Sequence, residues 1–90
     1  MSNIANRLRL IGYNKLALEF DALEKAWVDI DEIWNLVTYY GGIDKVLGIK
    51  GKSYINTIVR HVIFKNAPSK LHALIQMNIV DSLLEKEMNM

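Results

Sequence analysis

The chain has no cysteine, a single proline, five glycines and two histidines in 90 residues. Without cysteine there is no disulfide framework, no thiolate metal site and no thiol nucleophile, a composition that suits a reducing interior. Long apolar runs are missing as well. Nowhere do the roughly 18 consecutive apolar residues of a membrane span occur, and the opening MSNIANRLRLIGYN holds no stretch resembling a secretory signal. The expectation is a soluble, intracellular, cytoplasmic protein with no membrane partner.

What is present is packing material. Hydrophobic residues make up 51% of the chain, too many for a disordered segment, and the length suits one core, so residues 1–90 read as a single domain. The net charge is only +1, but it is segregated. Residues 19–34 carry Glu19, Asp21, Glu24, Asp29, Asp31 and Glu32 against Lys25 alone. Residues 45–80 carry Lys45, Lys50, Lys52, Arg60, Lys65 and Lys70 and no acid. Such a run either presents a positive field to a polyanion or pairs with the acidic segment of its own chain.

Apolar periodicity predicts helices throughout. Ile4, Leu8 and Ile11 share one helical face that Gly12 ends, and Leu16, Phe20, Leu23 and Trp27 form the inner stripe of a second helix whose outer face is Glu19, Asp21, Glu24 and Lys25. Asp29 with Glu32 has the form of a capping box opening a third helix, with Ile30, Ile33, Trp34, Val37 and Tyr40 inward and Gly41-Gly42 as its stop. Residues 44–49 suit a short helical turn. Ser53 is placed to cap YINTIVRHVIF, whose β-branched residues lean toward strand but whose Ile55, Ile58, Val59 and Val62 recur at helical spacing. Pro68 or Ser69 opens the last helix, with Leu71, Leu74, Ile75, Ile79 and Leu83 expected inside. The predicted fold is all-α, a compact bundle of five to six short helices.

Catalytic chemistry finds little to work with. Gly51-Lys52-Ser53 ends like a phosphate-binding loop, but the glycine required five residues earlier is Val46, and no strand precedes it. His61 and His72 lack carboxylate or thiolate company at metal-ligand spacing, capping accounts for Asp29, Asp31 and Glu32, and no serine lies in a nucleophile elbow. A non-enzymatic protein without cofactor or metal is expected.

One segment has a family likeness. VDIDEIWNLVTYYGGIDKV, residues 28–46, resembles the central helix of the AT-rich interaction domain (ARID) family, in which Asp and an aliphatic residue open a helix that closes on Gly-Gly with a valine beyond. The Gly-Thr-Pro segment usual before that helix is absent, and so is the tryptophan expected after the basic loop. The resemblance implies duplex DNA binding by a helix-turn-helix-like unit, a regulatory role and a nuclear location, and it places Lys65, Asn66, Ser69, Lys70 and His72 at the DNA. From residue type alone, Lys50, Lys52, Lys65 and Lys70 suit phosphate contact, and Asn66 and Gln76 suit adenine edges.

The leading expectation is a small DNA-binding regulatory protein that uses the basic loop 48–53 and the start of the last helix, and two other readings stand beside it. An inhibitor or adaptor would dock on a protein partner through the acidic second helix and exposed aromatics such as Trp27 or Tyr39. Self-assembly into a homodimer follows if the apolar content exceeds what a 90-residue core can hide.

Overall fold

The computed structural model describes residues 3–88, with the side chains of all of these except Ile49, Lys50, Glu87 and Met88. Six helices run in order: α1 (Asn3–Leu10), α2 (Asn14–Lys25), α3 (Ile30–Tyr39), α4 (Ile43–Lys50), α5 (Lys52–Asn66) and α6 (Lys70–Met88). No strand occurs among the described residues, so helical periodicity prevails over the strand-leaning composition of α5. The fold is all-α.

α2 lies between α1 and α6, and α5 packs on α3, α4 and α6, so one core is shared by the two halves of the chain. Leu8, Phe20, Ile33, Val37, Val46, Ile55 and Val62 are fully buried there. The Phe20 ring meets the half-buried Trp34 edge-on at 6.2 Å between centroids, within the range where aromatic pairs add to their burial. The inner positions read for α3 and α5 are thus largely occupied as expected, although Tyr40 at the end of α3 is exposed.

Three helices end in the same hydrogen-bonded turn. At the end of α1, Gly12 N–H donates to Arg9 O and Tyr13 N–H to Leu8 O. At the end of α3, Gly41 and Gly42 make the equivalent bonds to Thr38 O and Val37 O. α2 ends likewise, with Trp27 N–H to Glu24 O at 3.1 Å and Val28 N–H to Leu23 O at 3.0 Å. The residue at the turn must be left-handed: Gly12 has φ 96°, Gly41 has 110°, and Trp27 has 61°. This overturns the placement of Trp27 on the inner stripe of the second helix. α2 stops at Lys25 because Asp29 must be non-helical to cap α3, where its side chain accepts from Glu32 N–H at 3.1 Å.

Further corrections concern faces and caps. Ile11 lies beyond α1 and is exposed. Ser53 does not cap α5; that helix begins at Lys52 after Gly51, and the Ser53 carbonyl accepts from the Thr57 hydroxyl. The largest change is in α6. Its buried residues are Ala73 and Val80, with Met77 and Leu84 packed beside them, whereas Leu71, Leu74, Ile75 and Ile79 are exposed. Of the expected inner stripe only Leu83 packs against the core.

Candidate interaction surface

The expected DNA-contacting residues fall into two groups at opposite ends of α5. Lys65 and Asn66 close that helix, and Ser69, Lys70 and His72 open α6 one turn of chain later. Lys52 begins α5, about 20 Å away at 1.5 Å per residue. The side chain of Lys50 lies outside the described residues.

Most of these groups have a partner within the chain. The Lys52 ammonium pairs with Glu19, which is almost buried despite its expected place on an outward acidic face. Lys65 Nζ lies 2.5 Å from Glu32 Oε1, and Asn66 Nδ2 donates to Glu32 Oε2 at 2.7 Å. Glu32 therefore joins α3 to the end of α5 and does not reach back as the second half of a capping box. The hydrogen bonds from Lys65 and Asn66, joined by the charge of Lys65, hold its carboxyl below the usual carboxylate range. Ser69 Oγ accepts from His72 N–H at 3.2 Å, which makes it the cap of α6, and lies 2.8 Å from His72 Nδ1. Gln76 donates to Ala26 O at 2.8 Å, satisfying a carbonyl at the end of α2. Lys70 is exposed and has no ion pair among the described residues.

Two further carboxylates are engaged within the chain. Asp21 pairs with Arg9 of α1, and Asp44 accepts from the Tyr13 hydroxyl, whose pKa that bond raises. Among the described residues no group of three or more histidines and carboxylates is gathered as a metal would require. An open cleft of about 540 Å³ between α3 and α5 is lined by Leu36, Tyr40, Tyr54, Ile58 and His61, with the two tyrosine rings edge-on at 5.5 Å.

The conspicuous unpartnered surface is elsewhere, on the outer side of α6. Leu71 is 65% exposed, Leu74 44%, Ile75 48% and Ile79 37%. At 100° per residue these four fall on one side of the helix, opposite Ala73, Met77, Val80 and Leu84. Between and below them a shallow groove of about 350 Å³ runs along Ile75, Asn78, Ile79, Ser82, Leu83 and Lys86. The periodicity of these leucines and isoleucines was legible from the residues, but not that the face points outward. The available signal was the second apolar row, Ala73, Met77, Val80 and Leu84, which competes with it on the same helix.

No helix among the described residues is long and apolar enough to cross a membrane. Comparison with protein-family models, with curated proteins and with solved structures finds no match.

Proposed function

We propose that this protein is a small, non-enzymatic protein-interaction module that docks a partner through the outer face of α6. One observation carries the reading: α6 is apolar on two sides, and the fold covers one of them. A helix that is apolar all round belongs inside a core or between molecules, and a contiguous row of large aliphatics on a peripheral helix marks an interaction site. Docking through the acidic α2 has less support, because Glu19 and Asp21 are already paired within the chain.

A photo-crosslinking amino acid at Ile75 tests the proposal in cells, with the same group at exposed Thr57 on α5 as control. Protein adducts are expected from position 75 and not from 57; equal or absent adducts overturn the docking face. Duplex DNA is the competing partner, supported by the acid-free run and by exposed Lys70. Binding to mixed-sequence duplex that collapses with rising salt, is lost on Lys50→Glu with Lys70→Glu, and is indifferent to Ile75→Glu replaces the protein-docking reading with the nucleic-acid one.

A further inference from the structure

We infer that the partner of the α6 face is a second copy of this chain, with the two α6 helices antiparallel about a two-fold axis near residues 75–78. The inference rests on the docking reading above and names its occupant. A two-fold interface requires a surface complementary to itself, and this one is so in shape and in charge.

The shape complementarity lies along the helix. The start of the helix carries Leu71, the most exposed of the four, with Leu74 one turn on, and the groove that runs from Ile75 to Lys86 is lined by the small polar Asn78 and Ser82. An antiparallel neighbour sets the leucines of each copy against the groove of the other. A parallel neighbour sets leucines against leucines and groove against groove. Asn78 in the seam favours the one register that gives its amide a partner, as single polar seam residues do in paired helices.

Charge selects the same orientation. Lys70 stands at the start of α6 with no acid until Asp81, and Asp81 and Glu85 stand near its end. Lys70, Leu74, Asp81 and Glu85 are spaced at four, seven and four residues, so they occupy one flank of the helix, and antiparallel helices bring like flanks together. Each Lys70 then meets the partner's Asp81 and Glu85. All three are exposed and free of ion pairs among the described residues. The strip is 19 residues long, about 28 Å at 1.5 Å per residue, which gives an interface at the small end of specific contacts and a dimer that dissociates on micromolar dilution.

Sedimentation of the full chain across about 1 to 200 μM is expected to show mass rising from one chain to two, in the range set by an interface of this size. Ile75→Glu is expected to remain one chain at every concentration while keeping the far-UV spectrum and the dilute-solution melting temperature of the wild type, since position 75 is outside the core. Lys70→Glu is expected to weaken association about tenfold, and adding Asp81→Lys and Glu85→Lys to restore it. A single-chain mass throughout overturns the homodimer but leaves the docking face standing if Ile75 crosslinks to other proteins. A dimer that survives Ile75→Glu places the contact elsewhere, and a triple variant that stays weak overturns the antiparallel arrangement.

Discussion

Trp27 holds its backbone at φ 61° with its ring 83% exposed. A left-handed backbone costs an L-residue about 1 to 2 kcal/mol, and the equivalent turn positions at the ends of α1 and α3 are glycines that avoid the cost. The exposed ring recovers little of it by packing. Trp27→Gly is therefore expected to raise stability by about 1 kcal/mol, or about 4 to 8 °C in a chain of this size, read by thermal unfolding. A lower melting temperature would mean that the indole packs on its surroundings more than its exposure implies. The residue scale is also where local reading succeeded best: Asp29 caps α3 as its neighbours predict, and Gly41 and Gly42 end it, because caps and left-handed turns are decided within four or five residues.

At the scale of the element, helix existence was legible and helix phase only partly so. α3 and α5 have one apolar stripe each, and the stripes lie inward apart from their ends. α6 has two, and hydrophobicity favoured the larger residues, whereas packing chose the row containing Ala73, which is fully buried where α6 meets its neighbours. A small side chain lets helix axes approach, and that contact is absent from any count of apolar residues. The consequence is measurable at concentrations where the chain is alone. Leu74→Ser is expected to change stability by no more than about 1 kcal/mol, whereas Val80→Ser costs about 2 kcal/mol or more through lost burial and a buried hydroxyl, both read by urea unfolding. Equal costs would restore the stripe read from the sequence.

Across the whole molecule, the charge segregation acquires an internal explanation. The acidic residues 19–34 and the acid-free residues 45–80 meet in the fold through Glu19 with Lys52 and Glu32 with Lys65 and Asn66, so α2 and α3 are clasped to the two ends of α5. Two of the six cations that suggested a polyanion partner, Lys52 and Lys65, are thereby answered within the chain. The Glu32 clasp also sets a pH dependence. Its carboxyl is held below the ordinary value of 4.5 in the folded state, so its stabilisation is present above that value and is lost as the pH falls through the folded pKa. Wild type should exceed Glu32→Gln in urea midpoint at pH 7, with the gap closing toward pH 3; a gap that is constant with pH would show that the clasp contributes no titrating charge.

The sequence by itself determined that the chain is helical and where α3 to α5 begin and end to within a few residues. Those properties follow from periodicity and caps, both local. Tertiary structure alone decided that Glu19 meets Lys52, that Glu32 meets Lys65 and Asn66, and that Leu71, Leu74, Ile75 and Ile79 face outward. Both depend on how helices far apart in the chain fit together, because an ion pair needs two separated elements brought to contact and an ambiguous helix takes its phase from the surface it meets.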